Sequence, residues 1–190
     1  MVSEAADPLL AVRDLHVRFE RDEEEVRAVN GVEFDIHLQE VLGVVGESGC
    51  GKSVTGFSIM GLVPSQGGQI VGGSIQYRGS GQPINLVDLP PKGPEIRAIR
   101  GKEIGMIFQE PMRSLSPVYT VGQLIGEGIR EHLDLSKEEA RDLSIQLLER
   151  VQIADAAERV DSFPHQLSGG MRQRVMIAIA LSCNPKLLIA

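Results

Sequence analysis

One segment of the chain combines glycines, a lysine and a hydroxyl side chain at a spacing that suits phosphate binding. It consists of Gly46, Glu47, Ser48, Gly49, Cys50, Gly51, Lys52 and Ser53, and it fits the pattern G-x-x-x-x-G-K-[ST]. Glycines let backbone N–H groups turn toward phosphate oxygens, Lys52 can reach the β- and γ-phosphates, and the Ser53 hydroxyl can ligate Mg²⁺. The alternative is a glycine-rich turn that matches by chance. An apolar run before the segment and an expected helix after it favour nucleotide binding.

A second segment lies about 115 residues after the loop and opens an expected helix with Ser168, Gly169 and Gly170. Ser168 is a good N-cap, and the two glycines expose backbone N–H groups at a helix N-terminus, which attracts anions. By itself, a plain helix cap is the better interpretation. Together with the loop, however, the sequence LSGGMRQR at residues 167–174 resembles the signature of ABC ATPases. The resemblance implies ATP and Mg²⁺ as cofactors and a signature that faces the γ-phosphate held by a second subunit.

Three further site residues rest on this resemblance. Gln109 resembles the glutamine of the family's Q-loop, which implies contact with Mg²⁺ and the attacking water, although a surface glutamine at a strand end is the alternative. Phe19 lies where the family places an aromatic that stacks on adenine, and a core aromatic is its rival interpretation. Val54, next to Ser53, is included among the nucleotide contacts. Lys52 and Gln109 are the expected catalytic residues of this chain.

Two stretches indicate a particular group within the ABC ATPases. Residues 110–117 (EPMRSLSP) and 164–174 (PHQLSGGMRQR) are similar to ATPases of oligopeptide and dipeptide importers, a group that also includes nickel systems. This implies an ATP-hydrolysing subunit that energises import of peptides or a similar small solute. It also implies a second ATPase subunit in a head-to-tail dimer, permease partners, an indirect solute-binding partner, and a peripheral place on the cytoplasmic face of the membrane. Which solute it serves, and whether the dimer is homomeric, stay open.

Composition limits the remaining classes. Lys and Arg number 19 against 26 Asp and Glu, so the net charge is −7, which argues against a nucleic-acid partner. No apolar run is long enough to span a bilayer, and the N-terminus lacks the pattern of a secretion signal. Cys50 and Cys183 have no paired spacing, as expected in a reducing cytosol. The four histidines form no metal-binding constellation.

Hydrophobic periodicity predicts the elements that position these residues. Alternation predicts strands at residues 9–19 and 32–38, and an apolar run predicts a buried parallel strand at residues 41–45. A helix is expected at residues 52–62, with strands at 74–78 and 104–108. Ser136 with Glu139 predicts a capping box before a helix whose apolar face reaches Val151. A last helix is expected at residues 170–183, followed by the start of a buried strand at 186–190.

The predicted fold is α/β: a P-loop NTPase of the ABC nucleotide-binding type over residues 1–190. It should contain an N-terminal antiparallel β subdomain and a helical subdomain at about residues 110–168. The apolar run at 187–190 resembles the strand that precedes an Asp and a Glu in this family, and neither carboxylate is present. We therefore expect an N-terminal fragment that does not turn over ATP alone. The alternatives are a non-transport ABC ATPase and an ATP-binding module without turnover.

Overall fold

The structure is a computed structural model that describes residues 7–21, 24–79, 81–109 and 115–190. The chain divides into two compact units, residues 1–97 and residues 98–190, and each is described by itself. The proposed limits of the helical subdomain, about 110 and 168, stay a prediction. In the described part of the chain, no helix combines the length and apolar character needed to cross a membrane.

The first unit contains a four-stranded antiparallel sheet in the order β2-β1-β3-β4. Its strands are β1 (Leu10–Arg21), β2 (Glu24–Ile36), β3 (Gly68–Tyr77) and β4 (Ile84–Asn85). Leu10, Val12, Leu15 and Val17 of β1 are buried. The predicted alternation holds at Leu15 and Val17 but is wrong at Ala11, which is half-buried, because the pairing of β1 with β2 shifts register between Val12 and Leu15. The strands predicted at residues 32–38 and 74–78 are present but begin earlier, because β2 and β3 both pair along β1.

Helices in the first unit are short. Helix α1 (Lys52–Ile59) ends before the expected residue 62, and a 3-10 turn at Val63–Gln66 follows because Pro64 cannot continue the hydrogen-bond ladder. Another 3-10 turn occupies Leu86–Asp88. Helix α2 (Pro94–Ile99) begins with a proline, which is favourable at the first helical position.

The buried parallel strand predicted at residues 41–45 is wrong. These residues form no strand, and Val41 and Val45 are 96% and 94% exposed. A buried parallel strand needs neighbouring strands to satisfy its backbone groups and cover its faces. Among the described strands, none pairs with this run, so its apolar side chains remain at the surface.

The second unit joins a short parallel pair to a group of helices. Strand β5 (Ile104–Met106) pairs with β6 (Leu187–Ile189), so the strands predicted at 104–108 and 186–190 exist in shorter form. The helices are α3 (Val121–His132), α4 (Lys137–Arg150), α5 (Ala156–Arg159) and α6 (Gly169–Leu181). Their core includes Ile125, Ile129, Leu148, Val175 and Ala178, all fully buried.

Capping boxes begin helices α3 and α4. The predicted box at α4 is confirmed: Glu139 N–H donates to Ser136 Oγ at 3.2 Å, and Ser136 N–H donates to Glu139 Oε2 at 2.9 Å. Helix α3 begins with the same arrangement, formed by Thr120 and Gln123. Helix α3 was not among the predicted elements, although the T-x-x-Q pattern before an apolar run indicates a helix start.

Candidate nucleotide-binding site

The glycine-rich loop enters α1 through two residues with left-handed backbone. Gly49 has φ +84° and Gly51 has φ +94°, a region that other residues rarely adopt. A Cβ on Gly51 would also lie 2.2 Å from the carbonyl oxygen of Ala28. The loop therefore lies directly against β2 at this point. Ala28 contributes its backbone carbonyl, which every residue type carries. This contact was therefore not predicted from the sequence.

The first half of the loop folds over its own second half. A Cβ on Gly46 would lie 2.5 Å from Cys50 Sγ, so a side chain at position 46 would require the Cys50 thiol to move. Cys50 N–H donates to the Glu47 carbonyl at 3.4 Å. Residues 46–50 are all exposed, so the turn presents its backbone to solvent.

The Lys52 ammonium lies over this turn. Its Nζ donates to the carbonyl oxygens of Gly46 and Glu47, both at 2.6 Å, and approaches Cys50 Sγ at 3.5 Å. These bonds hold a positive charge where the loop is most open. A phosphate oxygen approaching the loop would be a stronger, charged acceptor for the same donor.

The N-terminus of α1 is open to an anion. Its N-cap, Gly51, supplies no side-chain hydrogen bond, so the first-turn N–H groups have no side-chain acceptor. Ser53 is exposed in that turn, and its hydroxyl has no hydrogen-bond partner among the described residues. Val54, the remaining predicted contact, is half-buried one residue later.

The donor set around Ser53 fits magnesium held mainly by nucleotide and water. The described residues contain no cluster of three His, Cys, Asp or Glu side chains able to hold a metal. Mg²⁺ commonly keeps several waters and takes few protein ligands alongside substrate phosphates. A free hydroxyl beside an open helix N-terminus is compatible with that mode.

The signature segment forms the start of α6 as predicted. Ser168 Oγ accepts from Met171 N–H at 3.3 Å, while Gly169 and Gly170 are exposed, with nothing within 4 Å of an added Cβ. Gln166 Oε1 accepts from Phe163 N–H at 2.7 Å, which fixes the turn just before the helix. The segment therefore presents to solvent a helix N-terminus that Ser168 caps and whose first two residues carry no side chain.

Gln109 and Phe19 have different surroundings. Gln109 is exposed in the second unit, three residues after β5 ends. The motif predicted at residues 110–117 lies outside the described residues over 110–114. Phe19 is half-buried, and a Cβ on Gly68 would lie 2.7 Å from its Cε1. The Phe19 ring thus packs closely against Gly68 of β3, and its stacking on adenine stays a prediction.

Residues 46–54 and Phe19 both belong to the first unit. Gln109 and residues 168–170 belong to the second unit. The loop and helix start are thus built as the sequence predicts, while the roles assigned to Gln109, Phe19 and the signature remain proposals.

Comparison with known proteins identifies the family. The family model described as "ABC transporter" matches residues 29–190. The probable peptide ABC transporter ATP-binding protein y4tR of Sinorhizobium fredii is 49% identical over 185 residues, which cover 97% of this chain and 53% of that protein. The oligopeptide transport ATP-binding protein AppD of Bacillus subtilis is 50% identical over 182 residues, 96% of this chain and 54% of AppD. The chain spans about half the length of the curated relatives it matches.

Solved structures share the fold. A dimeric post-hydrolysis structure of the ATP-binding cassette MJ0796, bound to ADP and Pi, has a TM-score of 0.80 at 26% identity and covers 94% of this chain and 72% of that one. The cbiO1 protein of Clostridium perfringens, part of an ABC transporter complex, has a TM-score of 0.68 at 26% identity, covering 96% and 64%. The fold is that of an ABC nucleotide-binding cassette, and the chain belongs to the ABC transporter family.

Proposed function

We propose that this chain is the ATP-binding part of an ATP-hydrolysing transporter subunit that energises import of peptides or a similar small solute. The observation that carries the proposal is the Lys52 ammonium held over an exposed turn by the Gly46 and Glu47 carbonyls, beside the open N-terminus of α1. Cation and helix N-terminus together favour a bound polyphosphate. The names of the relatives, which describe peptide transport, support the choice of solute.

Each site residue has a proposed role. Lys52 would exchange its carbonyl partners for phosphate oxygens and neutralise charge that develops during phosphoryl transfer. Ser53 would hold Mg²⁺, which supplies charge neutralisation at the phosphates when bound. Gln109 would orient the attacking water, and Phe19 would stack on adenine. Residues 46–54 would cradle the phosphates through backbone N–H groups.

The exposed signature supports a second ATPase subunit as a partner. Gly169 and Gly170 place no side chain over the first turn of α6, which suits the γ-phosphate held by a second cassette. The dimeric state named for the MJ0796 structure supports this arrangement. We further propose permease partners, an indirect solute-binding partner, and a peripheral position at the cytoplasmic face of the membrane.

The proposal is tested with Lys52→Ala in the complete subunit, with Lys92→Ala as the control. Lys92 is an exposed lysine of the same unit, outside the loop. We expect Lys52→Ala to weaken ATP binding at least about tenfold, since charge-assisted hydrogen bonds are about twice as strong as neutral ones, and to abolish ATP hydrolysis and uptake of a labelled oligopeptide in cells. Lys92→Ala should match the wild type.

Binding is measured by isothermal titration calorimetry with Mg·ATP, and integrity by circular dichroism. Near-wild-type hydrolysis in folded Lys52→Ala would refute the site. Intact ATP hydrolysis by the wild type, together with peptide uptake that is unchanged when the gene is deleted, would refute the solute class and leave the ATPase assignment standing.

A further inference from the structure

The second unit contains a cavity of about 480 Å³ between helices α3 and α4. This volume lies within the usual range of small-molecule sites. Neither the glycine-rich loop nor the signature contributes to its lining. Its lining includes Gln123, Gly126, Arg130, Lys137, Ala140 and Arg141.

Small residues create the space at the base of this cavity. Gly126 and Ala140 are both buried and face each other across the two helices, with 3.9 Å between the Ala140 Cβ and a Cβ built on Gly126. Gly122 closes one end, because its N–H donates to the Val160 carbonyl at 2.7 Å and an added Cβ would lie 2.5 Å from Val160 Cγ2. The base is therefore apolar and firmly packed.

The walls of the cavity are cationic. Of its three cations, Arg141 pairs with Asp161 at 2.5 Å. Arg130 and Lys137 have no acidic partner anywhere in the described part of the chain, and Arg130 donates only to the Gly126 carbonyl at 3.4 Å. Two unpaired cations at one cavity are unexpected in a chain of net charge −7.

The position of Lys137 adds to this imbalance. It is the first residue of α4, where the helix dipole disfavours a positive side chain. The carboxylate of Glu139 in the same turn is engaged with the Ser136 backbone, and neither it nor Glu138 lines the cavity. An anion bound between Lys137 and Arg130 would relieve the unfavourable placement.

Two neutral side chains of the lining, Gln123 and Thr120, add donors. Gln123 uses its Oε1 to accept from Thr120 N–H, which leaves its side-chain NH₂ without a partner among the described residues. Thr120 Oγ1 accepts from Gln123 N–H, so its hydroxyl hydrogen is free to donate. The acceptor carboxylate in the lining, Asp161, is occupied by Arg141. The cavity thus offers donors and positive charge to a ligand rich in acceptors.

We propose that this cavity, which we call the α3–α4 cavity, binds a small organic phosphate. The phosphate lies between Arg130 and Lys137, with Gln123 donating to it, and the apolar part of the ligand lies over Gly126 and Ala140. A phosphate dianion matches two unpaired cations and several donors, and the apolar base separates an ester of this kind from inorganic phosphate.

The test uses phenyl phosphate as the probe, with inorganic phosphate and phenol for comparison. All proteins carry Lys52→Ala, so that the glycine-rich loop does not compete for the anion. Binding is followed by the backbone amide signals of Gly122 and Gly126 in ¹H–¹⁵N spectra. The test variant is Arg130→Gln/Lys137→Gln. The matched control, Lys102→Gln/Arg150→Gln, removes one lysine and one arginine that are exposed in the same unit but do not line the cavity.

We expect phenyl phosphate to shift both glycine signals with saturation, to bind more tightly than inorganic phosphate, and to bind more weakly as salt is added. Phenol should cause no shift. The test variant should lose about tenfold or more in affinity, while the control should stay within about twofold. Equal affinity in the two double variants would overturn the proposal, as would the absence of any shift at Gly122 and Gly126. Neither outcome bears on ATP binding at Lys52.

Discussion

At the scale of single residues, the glycine-rich loop depends on the absence of side chains at its glycines. Gly46 makes room for Cys50 Sγ, and Gly51 makes room for the Ala28 carbonyl. Gly49 shares the left-handed backbone of Gly51 but has open space where a side chain would be. Alanine substitutions at Gly49 and Gly51 therefore distinguish two free-energy costs, that of left-handed backbone and that of a steric clash.

We predict that Gly51→Ala destabilises the chain much more than Gly49→Ala. Both variants place a Cβ on left-handed backbone, which costs about 1–2 kcal/mol. Only Gly51→Ala adds a 2.2 Å clash with a backbone oxygen of β2, which cannot move without disturbing the sheet. The free energy of unfolding, from urea titration, should fall by about 1 kcal/mol for Gly49→Ala and by about 3 kcal/mol or more for Gly51→Ala. Equal losses would show that the contact with Ala28 does not hold the loop.

At the scale of elements, features set by neighbouring residues could be predicted from the sequence, whereas the pairing of strands could not. The capping box of α4 is formed by residues three apart in the sequence, so the sequence predicts it. The alternation in β1 is predicted only in part, because its phase changes at the register shift between Val12 and Leu15. The run at residues 41–45 has the composition of a buried strand, but composition does not say whether a neighbouring strand is present to pair with it. Among the site residues, Lys52 was predictable by type, but its carbonyl partners depend on the loop's path through Gly49 and Gly51.

The capping box of α4 predicts a pH dependence. Hydrogen bonds from Ser136, both side chain and backbone, lower the pKa of Glu139 below its ordinary value of 4.5. Because the folded pKa lies below the unfolded one, the stabilisation is fully present above the unfolded pKa and is lost as the pH falls through the folded pKa. Helix α3 uses Gln123 at the equivalent position, so an amide there can complete the box without titrating.

Glu139→Gln should therefore keep helix α4 and reduce the dependence of the free energy of unfolding on pH in the acid range. We expect wild type and variant to differ little in their free energy of unfolding near pH 7. The wild type should then lose more stability than Glu139→Gln as the pH is lowered from 5 to 3. Urea titrations at each pH make the measurement, and Glu138→Gln, at the adjacent exposed position, is the control. Parallel profiles for wild type and Glu139→Gln would contradict the prediction.

At the scale of the whole molecule, two compact units carry the two halves of the proposed chemistry. The phosphate loop lies in residues 1–97 and the signature in residues 98–190. A head-to-tail dimer would bring the loop of one protomer to the signature of the other, and it would require Gly169 and Gly170 to be accessible, as they are here. The acidic balance of the chain is compatible with protein partners rather than nucleic acid.

We predict that Ser168→Arg in the complete subunit blocks ATP-driven dimerisation while ATP binding to the monomer stays within about twofold. The arginine adds bulk at the proposed contact with the partner's γ-phosphate. Ser168→Ala is the matched control, since it removes the same N-cap, at a cost of about 1 kcal/mol, without the bulk. Light scattering with and without ATP should show dimers for Ser168→Ala and monomers for Ser168→Arg. A normal dimer of Ser168→Arg would refute the proposed trans contact.

The exposed run at residues 41–45 should be an early site of cleavage by thermolysin. Thermolysin cuts before bulky apolar residues in accessible, irregular backbone, and such loops are the preferred places for nicking. Val41, Val44 and Val45 meet these conditions, as do Val118 and Tyr119, whereas Leu10, Val12, Leu15 and Val17 of β1 are buried. Brief digestion should therefore cut the chain between β2 and α1 and near residue 118, and leave β1 intact, as read from fragment masses. A cut between β2 and α1 would break the covalent link between the β1–β2 pair and the glycine-rich loop. The contact of Gly51 with the Ala28 carbonyl would then still join the two pieces.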